Sequence, residues 1–249
     1  ILNQNPISLT FNDVCFRYKG AEKQILKNIS FSIKAGERFA IVGATGSGKS
    51  TIAKVLLRLN DIESGRILIN GVDALDLPLN CLRNQISYTP QKAYIFSGKI
   101  KDNFRFTNKD MTDEEMIKIA KIAQSYDFID SLPDKFDSFV AQGGINFSGG
   151  QKQRLSIARA LSKDANIYLF DDSFSALDYA TDAKLRKELK TFLKDKITII
   201  IAQRLNTIAD ADKIIVLKDS EITGMGTHQE LLESNQEYIE LAKSQGILE

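Results

Sequence analysis

Hydrophobic and polar positions alternate along the first part of the chain. The apolar members of this pattern stand at every second position: Ile7, Leu9 and Phe11, and then Ile29, Phe31 and Ile33. A polar segment at residues 19–23 separates the two sets. A period of two is typical of strands with one buried face, and a polar segment between them is typical of a turn. We therefore predict antiparallel strands within residues 7–33.

Short apolar runs recur later in the chain, at residues 167–170, 197–201 and 214–217, and helical patterns separate them. An earlier run at residues 39–42 leads into a glycine-rich stretch and then into apolar residues at helical spacing. Alternating strands and helices of this kind predict a buried, mostly parallel sheet covered by helices.

Residues 112–129 follow a polar helical pattern with one apolar face. Met116, Ile119 and Ala120 lie on that face, and Thr112 with Glu115 has the spacing of a capping box. We therefore predict a helical lobe in the middle of the chain.

The composition is that of an ordinary folded domain. The 249 residues are 43% hydrophobic and 26% charged, and the net charge is +1. A protein that neutralises many nucleic-acid phosphates normally carries a basic excess, so we expect no nucleic-acid partner. Cys15 and Cys81 are too few for a disulfide framework. The longest apolar run, residues 197–202, is far short of the roughly 20 residues that cross a bilayer.

Residues 43–50, with the sequence GATGSGKS, match the phosphate-loop pattern G-x-x-x-x-G-K-[ST] at every specified position. Gly46 and Gly48 would let the backbone turn its N–H groups toward phosphate oxygens at a helix N-terminus. Lys49 would reach the terminal phosphates, and Ser50 would offer its hydroxyl to Mg²⁺. A glycine-rich turn that binds nothing is the alternative, but the predicted strand and helix on either side favour nucleotide binding.

Residues 146–154, with the sequence NFSGGQKQR, resemble the signature of ATP-binding cassette (ABC) proteins, and the resemblance covers essentially the whole chain. It implies an α/β fold in which a P-loop NTPase core with a mostly parallel sheet carries an N-terminal antiparallel β subdomain and an inserted α-helical subdomain. The expected boundaries are residues 1–35 for the β subdomain, 36–91 and 155–249 for the core, and 92–154 for the helical subdomain.

The resemblance and the phosphate loop together imply a set of site residues for ATP and Mg²⁺. The expected metal contacts are Ser50, Gln91 and Asp171. The expected nucleotide contacts are Tyr18, Gly43, Thr45, Gly46, Ser47, Gly48, Lys49, Ser50, Thr51, Ser148, Gly149, Gly150, Gln151 and Asp178.

Each of these roles has a simpler structural alternative. Tyr18 would stack on adenine, but it could be a surface aromatic residue at a strand end. Asp171 ends the strand that resembles Walker B, where a carboxylate lies at the ligand crevice, but it could cap a helix. Ser148 could cap a helix, and this is compatible with its expected role, because helix N–H groups would face the γ-phosphate of another subunit.

The expected catalytic residues are Gln91, Asp172 and Gln203. Asp172 and Gln203 depart from the family pattern. The family usually has a glutamate at position 172, and the aspartate here is about 1 to 1.5 Å shorter, which catalysis tolerates poorly. The family usually has a histidine at position 203, and a glutamine cannot relay a proton. His228 does not replace it, because Thr227 and Glu230 predict a capping box around it.

The paired losses resemble one half of a heterodimeric ABC exporter with unequal nucleotide sites. The implied partners are a second cassette, paired head to tail, and the coupling helices of a transmembrane domain. Because the chain begins with Ile1 and not Met, we expect that transmembrane domain earlier in the same polypeptide and the cassette, by itself soluble, at the cytoplasmic face of a membrane. Gln142 stands where exporters often carry an acidic coupling residue.

Three other functions stay open at this point. A homodimeric exporter could use aspartate as the general base. A non-transport cassette protein could act on DNA or ribosomes, although such proteins usually carry two cassettes or a long coiled-coil insertion. A purely structural module could bind ATP and never hydrolyse it.

Overall fold

The structure is a computed structural model that describes residues 7–248. These residues form two compact units. The first unit contains described residues 7–86, 165–171 and 195–248, and the second contains residues 87–164 and 172–194.

Strands and helices alternate along most of the described chain. The strands are β1 (Ser8–Phe16), β2 (Leu26–Lys34), β3 (Arg38–Gly43), β4 (Ser64–Ile69), β5 (Val72–Asp73), β6 (Ile86–Thr89), β7 (Gly98–Lys99), β8 (Phe139–Val140), β9 (Ile167–Asp171), β10 (Ile197–Ile201), β11 (Lys213–Lys218) and β12 (Glu221–Gly226). The α-helices are α1 (Lys49–Leu56), α2 (Leu79–Asn84), α3 (Ile100–Arg105), α4 (Asp113–Ile122), α5 (Tyr126–Asp130), α6 (Gly149–Leu161), α7 (Tyr179–Phe192), α8 (Leu205–Ile208), α9 (His228–Ser234) and α10 (Gln236–Ser244).

The first unit contains an antiparallel sheet in the order β2-β1-β4-β5. Phe11 pairs with Phe31 across β1 and β2, and their rings stack with centroids 4.5 Å apart. Both side chains are buried, so the alternation in the sequence has produced one apolar face. This confirms the predicted antiparallel strands.

A second sheet in the same unit runs in the order β12-β11-β3-β10-β9. Strands β11, β3, β10 and β9 are parallel, and β12 is antiparallel to β11. Every residue of β9 and β10 is buried, which explains why these strands read as continuous apolar runs. The mixed architecture predicted from the sequence is therefore confirmed.

The second unit is mainly helical. Thr112 accepts a hydrogen bond from the Glu115 N–H at the start of α4, and the Glu115 carboxylate accepts one from the Thr112 N–H, as the capping box requires. The helical pattern of residues 112–129 is divided between α4 and α5, because Gln124 takes a left-handed conformation with φ 56°. α4 packs against both α6 and α7.

The subdomain boundaries at residues 35, 91 and 154 stay predictions. Within residues 7–248, no helix combines the length and the apolar character needed to cross a membrane.

Candidate nucleotide-binding site

Three of the predicted site segments follow neighbouring parallel strands of the first unit. The phosphate loop begins at Gly43, which ends β3, and Asp171 ends β9. Gln203 lies two residues beyond the end of β10, the strand between them, where Ile201 is in register with both Ile41 and Asp171. The three segments therefore lie at one carboxyl edge of the sheet, the edge at which α/β proteins bind ligands.

The phosphate loop connects β3 to α1 through two glycines in the left-handed region. Gly46 has φ 83° and Gly48 has φ 103°. A Cβ at position 46 would meet no atom within 4 Å, whereas one at position 48 would lie 2.6 Å from the carbonyl oxygen of Ile25. Thr45 and Gly46 are exposed at the rim of the loop. The loop thus keeps an open outer side and a tightly packed inner side.

Lys49 is buried at the start of α1 and lies close to its own loop. Its Nζ atom donates hydrogen bonds to the carbonyl oxygens of Gly43 and Ala44, each at 2.7 Å. Ser47 is also buried, and its Oγ atom has no hydrogen-bond partner among the described residues. A buried hydroxyl without a partner is costly, and a bound anion would satisfy it.

Ser50 and Asp171 meet directly. The Ser50 Oγ atom donates a hydrogen bond of 2.9 Å to Oδ1 of Asp171, and Asp171 is only 3% exposed. A hydroxyl beside a carboxylate at the end of a phosphate loop provides the hard oxygen ligands that Mg²⁺ takes in P-loop proteins. The donor set therefore fits a magnesium ion held jointly with a nucleotide.

Tyr18 lies beside the first two turns of α1. Its hydroxyl is 3.3 Å from Oγ1 of Thr51, and Nζ of Lys54 donates to it at 3.4 Å. The Phe16 ring packs edge-on against Tyr18 with centroids 4.8 Å apart. These contacts hold a half-buried ring next to the phosphate loop, as adenine stacking would need.

Sequence reasoning missed Lys54, whose Nζ atom lies 5.7 Å from the centroid of the Tyr18 ring. Its position three residues after Thr51, on the same side of α1, was the available signal. Gln203 is exposed, and its backbone oxygen accepts a 2.8 Å hydrogen bond from Nε2 of Gln245. The Oε1 atom of Gln245 accepts a hydrogen bond from the Leu205 N–H. Gln245, some 40 residues later in the sequence, therefore supports the loop that carries Gln203.

In the second unit, the structure brings Gln91 and Asp172 together. The Gln91 Nε2 atom donates a 3.0 Å hydrogen bond to Oδ2 of Asp172. Asp172 is 8% exposed and takes a left-handed conformation with φ 47°, while its backbone oxygen accepts a hydrogen bond from Ser175 Oγ at 2.9 Å. A neighbouring bond from Ser173 Oγ to the Thr89 oxygen, 2.9 Å, ties the same two segments together.

The signature residues form the start of α6. Ser148 accepts a hydrogen bond from the Gln151 N–H at 3.2 Å, and Gln151 Oε1 accepts one from the Ser148 N–H at 2.9 Å. Ser148 and Gly149 are exposed, and the first turn of α6 contains no acidic residue. The helix therefore begins with accessible N–H groups and a positive dipole end. Further along α6, burial lowers the pKa of Arg154, whose side chain donates a hydrogen bond of 2.7 Å to the Gln124 oxygen.

Asp178 and His228 have clear structural roles. Asp178 caps α7, and hydrogen bonds from the Thr181 N–H and hydroxyl hold the pKa of its carboxyl below the usual range. Thr227 and Glu230 form the predicted capping box at the start of α9. His228 lies at that helix start, with Nδ1 2.7 Å from the hydroxyl of the buried Tyr238. Nothing in this arrangement links His228 to the phosphate loop.

A phosphate loop with a hydroxyl–carboxylate pair at the carboxyl edge of a parallel sheet defines a P-loop nucleotide-binding protein. Comparison with known proteins gives the family. The family model described as ABC transporter matches residues 26–175. The chain belongs to this ABC transporter family, and it is an ATP-binding domain and an ATPase of the ABC type.

Individual relatives agree with this assignment. The chain is 44% identical over 237 residues to the uncharacterized ABC transporter ATP-binding protein YfiB of Bacillus subtilis, which covers 95% of this chain and 41% of YfiB. It is 41% identical over 239 residues to the ATP-dependent lipid A-core flippase of Haemophilus influenzae, which covers 96% of this chain and 41% of the flippase. The chain therefore spans about two fifths of the length of these curated relatives.

A solved structure is also similar. A bacterial Atm1-family ABC exporter with ATP bound superimposes with a TM-score of 0.93 and 39% identity, over 97% of this chain and 42% of the exporter chain. The resemblance found in the sequence is thereby confirmed, and so is the predicted fold class.

Proposed function

We propose that this chain is the motor domain of an ABC exporter: it binds ATP with Mg²⁺, pairs with a second cassette and drives export through a transmembrane domain. Two relatives of named function, a lipid A-core flippase and an Atm1-family exporter, support export as the activity. In such an assembly the domain would lie at the cytoplasmic face of a membrane. The observation that carries the nucleotide part is the 2.9 Å contact between Ser50 Oγ and Asp171 Oδ1 beside the phosphate loop.

The residues of the loop would hold the phosphates in complementary ways. Lys49 is already close to the loop, where its Nζ donates to the Gly43 and Ala44 carbonyls, so phosphate oxygens would compete with these carbonyls for its protons. Ser47 would gain a partner for its buried hydroxyl. Tyr18 would offer its ring to adenine. When bound, Mg²⁺ neutralises charge on the phosphate oxygens, with Ser50 and Asp171 as its protein ligands and Gln91 as a further oxygen donor.

The signature at the start of α6 would act on a nucleotide held by the partner cassette. Its exposed Ser148 and Gly149, together with N–H groups at a positive helix end, suit a γ-phosphate presented from outside the chain. Asp178, exposed at the start of α7, would also face the partner in a head-to-tail pair. Head-to-tail pairing therefore gives the exposed signature a function.

Hydrolysis at the chain's own phosphate loop would be slow. Asp172 is the residue in the position of the general base, but its short carboxylate is engaged by Gln91 at 3.0 Å. Gln203 can donate a hydrogen bond to phosphate but cannot relay a proton. Both features weaken proton transfer from the attacking water, which general-base catalysis accelerates by about 10²- to 10⁴-fold. A partner with an intact base would make the pair a heterodimer with one slow site.

The test is the steady-state ATPase rate of the chain and of variants at these two positions. We expect slow turnover, a gain of at least about tenfold in the combined Asp172→Glu and Gln203→His variant, and loss of ATP binding in Lys49→Ala. Asp110→Glu, an exposed change of the same chemistry, serves as the control and should leave the rate unchanged. Fast turnover that survives Asp172→Ala would refute the slow-site proposal.

A further inference from the structure

Asn146 forms a side-chain bridge just before the signature. Its Nδ2 atom donates a 2.8 Å hydrogen bond to the backbone oxygen of Phe139, and its Oδ1 atom accepts a 3.0 Å hydrogen bond from the Ala141 N–H. One amide side chain thus closes the loop of residues 139–146 with both of its polar groups. No role in the site described above uses this bridge.

The near side of the bridge is anchored in regular structure. Phe139 and Val140 form β8, which pairs with Lys99 and Gly98 of β7. Val140 is fully buried. Asn146 therefore connects the chain that enters the signature to a fixed two-stranded ladder of the second unit.

The segment between the anchored ends contains two glycines in the left-handed region. Gly143 and Gly144 are consecutive residues with φ 64° and 63°, and a Cβ at Gly143 would meet no atom within 4 Å. Glycines lose more conformational freedom on ordering than other residues, so two in sequence leave this loop dependent on its hydrogen bonds. The bridge from Asn146 supplies two of these bonds.

The far side of the bridge is the start of the signature helix α6, where the Ser148–Gln151 capping box closes the first turn. Ser148 and Gly149 are exposed, and a Cβ at Gly149 would also meet no atom within 4 Å. Phe147 is the buried residue between Asn146 and Ser148. The axis of α6 is fixed by its buried residues from Gln153 onward, and residues 146 and 147 hold the chain that enters its first turn.

We propose that Asn146 is a positioning residue for the signature: it holds the start of α6 in the orientation that receives the partner's nucleotide, without touching the nucleotide of its own phosphate loop. The inference rests on the proposed function, because the signature matters only if two cassettes pair around ATP. Misaligned N–H groups bind an anion weakly, so loss of the bridge would weaken pairing and leave ATP binding to the chain's own loop intact.

The experiment compares Asn146→Ala with Asn108→Ala, a change of the same residue type in the second unit. Asn108 is exposed, and its side chain makes no hydrogen bond to the described residues. MgATP titration gives two values for each protein: the affinity of the monomer, from a fluorescent ATP analogue at low protein concentration, and the ATP concentration for half-maximal dimer, from light scattering at high protein concentration.

We expect Asn146→Ala to raise the half-maximal ATP concentration for pairing by about tenfold, the effect of losing one to two ordinary hydrogen bonds. Its monomer affinity for ATP should stay within about twofold of the wild type, and Asn108→Ala should match the wild type in both values. Unchanged pairing by Asn146→Ala, or an equal loss of monomer affinity, would overturn the proposal. No ATP-dependent pairing by the wild type would instead overturn pairing between two copies of this chain, and this inference with it.

A second variant covers the case in which Asn146→Ala does not fold. Asn146→Asp keeps an acceptor for the Ala141 N–H but faces the Phe139 oxygen with a carboxylate, which cannot donate. It should also weaken pairing, and protection of the Ala141 amide from hydrogen exchange should persist. Pairing at the wild-type ATP concentration in this variant would overturn the proposed role.

Discussion

Two glycines of the phosphate loop offer a matched pair of substitutions. Gly46 and Gly48 both lie in the left-handed region, with φ 83° and 103°. Gly46→Ala adds a methyl group into open space, whereas Gly48→Ala adds one 2.6 Å from the backbone oxygen of Ile25 and 3.0 Å from Cδ2 of Leu26. The two variants therefore share a conformational cost, and one of them adds a steric cost.

The structure allows both costs to be estimated. A left-handed conformation costs a residue with a Cβ atom about 1 to 2 kcal/mol, which applies to both variants. Overpacking against atoms that cannot move away costs about 1 to 3 kcal/mol, and Ile25 contributes a backbone oxygen. Each kcal/mol shifts the unfolding temperature of a domain of 150 to 250 residues by about 2 to 4 °C. We therefore expect Gly48→Ala to unfold roughly 2 to 12 °C below Gly46→Ala.

The assay is thermal unfolding followed by circular dichroism without nucleotide, together with ATP affinity at 25 °C. Gly71→Ala is the control, because Gly71 also has a left-handed conformation, with φ 77°, and open space around its Cβ position, but it lies in the turn between β4 and β5. It should lose as much stability as Gly46→Ala and retain ATP affinity. A Gly48→Ala protein as stable as Gly46→Ala would refute the steric argument.

Three further predictions concern other parts of the chain. Asn103→Ala removes a 1% exposed side chain that both accepts from and donates to the Phe96 backbone at 2.9 Å, so urea unfolding should show a loss of about 2 to 4 kcal/mol; a loss near zero would contradict this. Hydrogen bonding, first of all from Lys101, lowers the pKa of Asp137 to about 2, so Lys101→Met should raise that pKa in an NMR titration, and an unchanged value would be contrary evidence. Burial raises the pKa of Tyr238 to about 12, so the folded state favours the neutral phenol. The contribution of this group to the free energy of unfolding is complete below pH 10 and is lost as the pH rises from 10 to 12. Tyr238→Phe should make the unfolding temperature fall less steeply over that range, and equal slopes would rule this out.

The sequence was sufficient to predict the strands and helices that carry strong periodicity. Continuous apolar runs predicted β9 and β10 because those strands are buried on both faces. The break between α4 and α5 was not predictable from the apolar pattern, since it depends on the left-handed conformation of Gln124. Such a conformation in a residue other than glycine depends on tertiary contacts, which a local pattern does not contain.

In the candidate site, too, some features could be predicted from the sequence and others could not. The phosphate loop and the helix cap at Ser148 could be predicted because each depends on a short local pattern in the sequence. The support of the Gln203 loop by Gln245 and the bond between Gln91 and Asp172 join residues far apart in the chain, so no spacing rule identifies them. The roles predicted for Asp172 and Gln203 stay predictions until the ATPase rates are measured.

The order of strands in the parallel sheet has a consequence for the synthesis of the protein. β3 carries the phosphate loop and has its sheet neighbours in β10 and β11, which end at residues 201 and 218. A ribosome makes β3 before either of its neighbours, so this almost entirely apolar strand has no sheet partner on either side until β10 has emerged. The nascent domain therefore exposes an aggregation-prone strand while the residues between β3 and β10 are made, and the nucleotide loop is among the last features of the domain to reach its final geometry. A chain truncated after residue 195 would lose both neighbours of β3 at once.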